Sequence, residues 1–408
     1  MQCIFLDSLG CGNGIVRFHQ KRKNKAMQRK KTYIEVKFNL KMKLNYGLVL
    51  LIILMISCQN EKKETIIPEK EISVQEEKPK ISEPKDTIVT SDEYFNSAYN
   101  EMWRMLKGEQ PLDFKRAVFL TEWAYKEGKI DYSDFSREIS DITQKLGKFI
   151  QQKGVGQYKT AGNFALYEFF TRPNWMNGNT PFVYDFEDFT GKQDWEQTFV
   201  TKLMNTHEGQ CRSLPYLYKI LAEELNTKAY LAVAPNHFYI KHLDEKGKWV
   251  NIELTNGNFS SDAWMISSTG MSAEAIQNGI YMEALDLKQS VAYCLTELSQ
   301  GYEKKYGYDD FVVLCCNTTL EYFPKSIHTM MFKHNALMTI GKKELRALNG
   351  RKPTPEMEQR FAEFKQNEAL IESLGYREMS AEKYEQWLKT IETEKQKRLA
   401  NQSITSSK

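Results

Sequence analysis

The chain has 408 residues, with 56 lysines and arginines against 53 aspartates and glutamates and a formal net charge of +3. Charge this evenly balanced leaves no electrostatic footprint for nucleic acid. Seven cysteines in that length are not a disulfide scaffold, none forms a CxxC, and the six histidines stand at no metal-ligand spacing from them, so no metal is expected.

Residues 1–41 carry the basic runs Lys21-Arg22-Lys23-Asn24-Lys25 and Arg29-Lys30-Lys31, without sustained periodicity. They read either as a basic interaction arm or as a non-native extension ahead of the true start at Met42. The second reading is preferred, because a complete export signal begins at Met42. That signal, residues 42–57, is Met42-Lys43, the apolar run Leu48-Val49-Leu50-Leu51-Ile52-Ile53-Leu54-Met55-Ile56, and Ser57 before Cys58. The run is too short for a membrane span of about 20 residues and suits the core of a signal peptide. Met55-Ile56-Ser57-Cys58 resembles the bacterial lipobox, with Met55 where that pattern prefers leucine. The resemblance implies cleavage and lipidation at Cys58; the alternative is an uncleaved anchor helix. Either way the rest of the chain is expected in the cell envelope, outside the inner membrane. Lipid would hold it to a membrane by burying methylenes at roughly 0.8 kcal/mol each.

Residues 58–92 are rich in Lys, Glu, Pro, Ser and Thr and poor in large apolar side chains. Such a segment buries too little surface to offset ordering entropy, so a disordered tether is expected. A helical lobe follows over 93–175. Tyr94, Ala98, Met102, Met105 and Leu106 share one helical face, and a second helix is predicted from Pro111, a residue suited to a helix start. Asp131-Tyr132-Ser133-Asp134 supplies a cap before Ile139, Ile142, Leu146 and Ile150; Gly154 and Gly156 end that helix. Ala161 to Phe170 reads as another, stopped near Pro173.

Residues 176–285 hold the chemistry. The aromatic, acidic stretch Tyr184-Asp185-Phe186-Glu187-Asp188-Phe189 reads as a packed surface loop rather than a substrate-recognition loop. Trp195, Phe199, Val200, Leu203 and Met204 predict one short helix. After Cys211, Leu214, Leu217, Tyr218, Leu221 and Leu225 recur at helical steps, with Pro215 tolerated in the first turn. Cys211 therefore stands at a helix start, where unpaired N–H groups and the macrodipole favour negative charge and can hold an oxyanion, with help from Gln210. Ala229–Ala234 predicts a buried strand. His237–His242 and Trp249–Leu254 predict a hairpin around Asp244 and Gly247. If Lys241 faces Trp249, Tyr239 faces Asn251 and His237 faces Glu253, on one side of the sheet. Asn251, on the same face, is the fallback orienter of the histidine. Each feature alone has a plainer reading: a core cysteine, a structural histidine, a solvated glutamate. In this order they are the parts of a thiol nucleophile, its base and its orienter.

These residues resemble the transglutaminase-like superfamily, which shares the papain-like arrangement of Cys, His and Asp. Gly209 and Cys211 match its Gly-x-Cys at a helix start, His237 its strand-opening histidine, and Glu253 after Trp249 its next-strand acid, where aspartate is usual. The phrases GQCRSLPYLYKILAEEL and APNHFYIKH look like a bacterial branch with a helical lobe before the core and helical repeats after it. The resemblance covers about 95–345, most specifically 205–257. It implies an α+β fold whose core packs a helix on an antiparallel sheet. It also implies cysteine acyl chemistry on peptide or carboxamide bonds, with no cofactor and a peptide or protein substrate. Branches that have lost the chemistry imply the alternative, a silent binding or scaffold protein.

Residues 286–400 return to helices. Val291, Cys294, Leu295, Leu298 and Tyr302 mark one; Phe311, Leu314, Cys315, Thr318 and Tyr322 mark the next, closed by Pro324. The pair approaches the ~34-residue length of a tetratricopeptide unit. Further helices are predicted over 327–348, 355–374 and 381–399, a region open to a protein partner. Cys294, Cys315 and Cys316 fit free core thiols better than a Cys294–Cys315 bridge.

Overall fold

A computed structural model of the chain describes residue 90, residues 92–378 and a few positions between 385 and 396. The extension, the signal peptide, Cys58, nearly all of the tether and most of the last predicted helix lie outside the described residues. What is described is a mixed α+β fold, mostly helical, with two small sheets.

Helix α1 (Glu93–Lys107) starts where Asp92 Oδ1 accepts hydrogen bonds from the Tyr94 and Phe95 N–H groups at 2.9 and 3.1 Å. The second helix, α2 (Phe114–Tyr125), begins later than Pro111 predicts. Asp113 Oδ1 accepts from Arg116 N at 2.9 Å. A carboxylate satisfies an N–H that proline merely lacks, so the aspartate sets the boundary. Helix α3 (Tyr132–Lys153) is capped by Asp131, as predicted, and α4 is Ala161–Thr171.

Strand β1 (Val183–Tyr184) pairs in parallel with β2 (Glu208–Gly209). Between them the single helix predicted from Trp195 is two pieces, a 3₁₀ turn over Trp195–Thr198 and α5 (Val200–Thr206). Phe199, extended at ψ 146, separates them. Its successors Val200 and Thr201 donate their N–H groups to the buried Glu122 carboxylate at 2.6 and 3.1 Å, so a side chain from α2 caps α5. Helix α6 (Ser213–Glu224) buries Leu214, Leu217, Tyr218 and Leu221 as the helical spacing requires.

The second sheet is antiparallel and in chain order: β3 (Tyr230–Ala234), β4 (His237–Leu243), β5 (Trp249–Glu253) and β6 (Asn258–Ser260). The β4–β5 register differs from prediction by two residues: Lys241 faces Asn251, and Trp249 faces Leu243. The cause is a tight turn. Asp244 N donates to Lys248 O at 2.8 Å, Gly247 N donates to Asp244 O at 3.1 Å, and Gly247 holds a left-handed φ of 78. That is the three-residue hairpin loop whose last position favours glycine. A shift of two keeps every side chain on its predicted face. The stretch read as a turn-rich link forms the edge strand β6 and the short helices α7 (Asp262–Thr269) and α8 (Ala273–Gln277).

Helices α9 (Leu287–Tyr306), α10 (Asp310–Tyr322), α11 (Ile327–Leu348) and α12 (Pro355–Ser373) follow among the described residues. Helix α9 packs on α10 and also on α1 and α2. Phe95 meets Tyr302 edge-on at 5.2 Å, and the Tyr99 and Thr318 hydroxyls are 2.9 Å apart. Cys294, Cys315 and Cys316 are buried without a disulfide. Among the described residues no helix is long and apolar enough to cross a membrane.

Candidate active site

Gly209 leads into the site. A Cβ there would lie 2.6 Å from Leu203 Cδ1 and 2.7 Å from Ser213 Oγ, so any side chain at this position would have to push Leu203 and Ser213 aside. Gln210 N donates to Ser213 Oγ at 3.0 Å, and Leu214 N donates to Gln210 O, also at 3.0 Å. Helical hydrogen bonding thus begins at Gln210, and Cys211 stands in the first turn. The leading N–H groups of a helix have no intrahelical acceptor, and they carry its positive pole. Cys211 itself is 3% exposed.

His237 is the first residue of β4, delivered by the two-residue turn Pro235-Asn236. Asn236 takes a left-handed φ of 54, a conformation asparagine tolerates. The His237 ring hydrogen-bonds Glu253 Oε2 through Nε2, and it also hydrogen-bonds Cys211. Cys211, His237 and Glu253 therefore meet. Glu253 is almost fully buried, and its other oxygen accepts from Thr255 N at 3.0 Å and Thr255 Oγ1 at 2.7 Å. Both carboxylate oxygens are held, which fixes the imidazole's orientation.

The register explains how a glutamate does this. The β4–β5 pairing ends with Ile240 facing Ile252; carried one residue further, the same register sets Glu253 toward Tyr239 and diagonal to His237. Directly opposed side chains start about 5 Å apart and diagonal ones about 7–8 Å. The additional methylene of glutamate over aspartate spans that longer reach.

The electrostatics follow. Burial works against charge on His237, but the Glu253 carboxylate and the hydrogen bonds from Cys211 and Glu253 outweigh it and raise the imidazole to about 10. Burial likewise opposes the Glu253 carboxylate, and the positive His237 with the Thr255 hydrogen bonds holds it below the usual carboxylate range. At neutral pH the pair is imidazolium and carboxylate.

The two auxiliary residues sit differently. Gln210 is buried beside Cys211, but its amide donates to the Asp188 carbonyl, tying the loop before α5 to the site. Asn251 does not orient the histidine. Its amide donates to Ser260 O at 3.0 Å and Asp262 Oδ1 at 2.7 Å, because the shifted register sets it against Lys241.

Cys211 opens onto a cleft walled by Phe189, Trp195, Phe238, Tyr293 and His328. The loop read as surface packing thus contributes Phe189 to the cleft wall. At its floor Arg212 and Glu297 form a buried ion pair; Arg212 Nη1 also donates to Thr198 Oγ1 at 2.7 Å, and Tyr216 Oη donates to Glu297 Oε1 at 3.3 Å. Glu297 and His328 escape sequence reading because they come from α9 and α11, far along the chain. The one signal is a glutamate inside the apolar run of α9. Among the described residues no cluster of three or more His, Cys, Asp or Glu is placed to hold a metal ion. Comparison with protein-family models, curated proteins and solved structures finds no match to this chain.

Proposed function

We propose that this chain carries a transglutaminase-like, papain-type thiol site that acts on peptide or carboxamide bonds through a Cys211 acyl-enzyme. The observation that supports it most is the single ring of His237, bonded at once to Cys211 and to a doubly anchored Glu253. In this reading the imidazolium pairs with a Cys211 thiolate. Sulfur attacks the carbonyl carbon, and the developing oxyanion meets N–H groups at the start of α6. His237 gives its proton to the departing amine. Water, or a second amine, then attacks the thioester, His237 takes a proton back, and hydrolysis or amide transfer results. Glu253 keeps the ring oriented throughout.

The papain-like core follows from the same reading: α6 packs through Tyr216 on Phe238 of the antiparallel sheet, with their rings 5.7 Å apart. The site belongs, in this proposal, to an envelope lipoprotein anchored through Cys58, with a protein or peptide as substrate. Replacing Cys58 with serine then abolishes metabolic labelling by a fatty-acid analogue, and unchanged labelling removes the anchor from the proposal.

A second reading, a silent binding protein built on the same core, is favoured by the burial of Cys211. Iodoacetamide separates the two. The enzyme reading expects Cys211 to alkylate far faster than the buried Cys294 at pH 7, and His237→Ala to abolish the difference. Equal rates, with no effect of His237→Ala, would establish the silent protein. For an active site, a glutamine-containing peptide with hydroxylamine distinguishes transfer, which yields the hydroxamate, from hydrolysis, which yields the acid.

A further inference from the structure

The cleft holds one buried amide that the protein itself does not use. Gln300 is 7% exposed and lines the cleft onto which Cys211 opens. Among the described residues nothing hydrogen-bonds its amide, and neither amide atom is sealed from solvent. A buried, unpartnered amide that still reaches solvent, on a residue lining a cleft, faces that cleft. Individual contacts fix its place. Arg212 follows Cys211 in the chain, and its guanidinium pairs with Glu297. Gln300 stands one helical turn beyond Glu297 on α9, a spacing that sets Cβ atoms about 5–6 Å apart. The Trp195 ring centre lies 5.3 Å from Arg212 Cζ, and its Nε1 lies 3.1 Å from where a Cβ on Gly301 would stand. The free amide and the aromatic wall are therefore neighbours. The ion pair at the floor is closed on itself, so it offers no counter-ion to a charge brought in from outside, which would lose its water without compensation.

We propose that Gln300 is a specificity-determining residue: its amide hydrogen-bonds a backbone amide of a peptide substrate whose uncharged, apolar or aromatic side chain fills the cleft against Phe189, Trp195, Phe238 and Tyr293. The proposal rests on the thiol-site reading above and names the substrate class of that site. A side-chain amide carries both a donor and an acceptor, so it can meet either end of a peptide group. The walls suit a ring: Phe238 and Tyr293 already meet edge-on at 4.9 Å, an arrangement that a further aromatic side chain can extend. Discrimination follows from burial. A compound that fills the cleft without a backbone amide leaves the Gln300 amide covered and unpaired, and a site that hydrogen-bonds its substrate rejects such an analogue for that reason.

Chloromethyl ketones test this on the full chain. Acetyl-phenylalanyl chloromethyl ketone carries the backbone amide and the ring; its analogue lacking the acetamido group carries the ring alone. Each alkylates Cys211 as sulfur displaces chloride. Wild-type Cys211 is expected to react about tenfold more efficiently with the amide-bearing reagent, the worth of one neutral hydrogen bond, through a lower half-saturating concentration rather than a higher maximal rate. In Gln300→Leu the preference is expected to fall to within about twofold. The preference is a ratio within one protein, so a general loss of thiol reactivity cancels from it. Gln300→Met, unbranched and close in length, is expected to show the same loss and serves where the leucine variant does not fold. A preference kept in the variants, or absent from the wild type, overturns the proposal. The aspartyl reagent is expected to react at least about tenfold more slowly than the phenylalanyl one, and equal rates overturn the assignment of an uncharged substrate. A wild-type Cys211 that iodoacetamide alkylates no faster than Cys294 refutes the thiol-site reading itself, and this proposal with it; loss of the amide preference alone leaves that reading intact.

Discussion

Glu253 meets His237 across a diagonal of the β4–β5 hairpin, because the register that sets Ile240 against Ile252 aims Glu253 at Tyr239, two residues along from the histidine. The geometry makes side-chain length the critical variable. Glu253→Asp should fall short of Nε2 and slow Cys211 alkylation at least tenfold, a loss of about 1.4 kcal/mol in the barrier. A wild-type rate in that variant would mean that Glu253 does not orient the ring.

Glu253→Gln tests charge separately from length. Without the carboxylate, burial of His237 is no longer outweighed, and its titration should move from about 10 down toward or below the ordinary 6.5. Nitrogen-15 imidazole NMR across pH reads this directly. A midpoint still near 10 would assign the shift to Cys211 rather than Glu253.

Stability should depend on pH with a defined sign. His237 is raised from 6.5 to about 10, so its contribution is complete below 6.5 and is lost as pH rises toward 10. Glu253 is lowered from 4.5, so its contribution is present above 4.5 and is lost as pH falls through its depressed value. The difference in urea midpoint between wild type and His237→Gln should therefore be largest near pH 5–6 and shrink steadily above 6.5. A difference that grows with pH would contradict the ion pair.

The buried Arg212–Glu297 pair predicts non-additive mutations. Glu297→Leu leaves the Arg212 charge buried and uncompensated, so it should cost about 3–5 kcal/mol. Adding Arg212→Met should recover much of that loss, since replacing both charges removes the desolvation problem as well. Denaturant titration of the two single variants and the double variant measures the coupling; simple additivity would show that the pair is not energetically joined.

Gly209→Ala should destabilise the fold by about 1–3 kcal/mol, because the new methyl meets Leu203 and Ser213 well inside van der Waals contact. Thermal unfolding checks this. The same variant should displace Cys211, two residues on, and so slow its alkylation more than the stability change accounts for.

Local patterns carried much of this. The helical spacing of Leu214, Leu217 and Leu221, the Asp131 cap and the alternation of β4 and β5 are properties of neighbouring residues, and they appear where the sequence places them. Face parity survived a two-residue error in register because side chains alternate with a period of two. The Gly247 turn set the actual register, and with it the diagonal that suits a glutamate and draws Asn251 away to Ser260 and Asp262.

The sequence by itself determined the helix that follows Cys211 and the three strands β3, β4 and β5, and that His237 and Glu253 share a face. Only the tertiary structure decided that Cys211 touches His237, that Glu297 neutralises Arg212 under the cleft, and that His328 from α11 holds the Asn236 turn. The physical reason is range. Secondary structure is set by hydrogen bonds and side-chain periods within a few residues, whereas these contacts join groups that are distant along the chain and are brought together only when the apolar faces of separate elements leave water together.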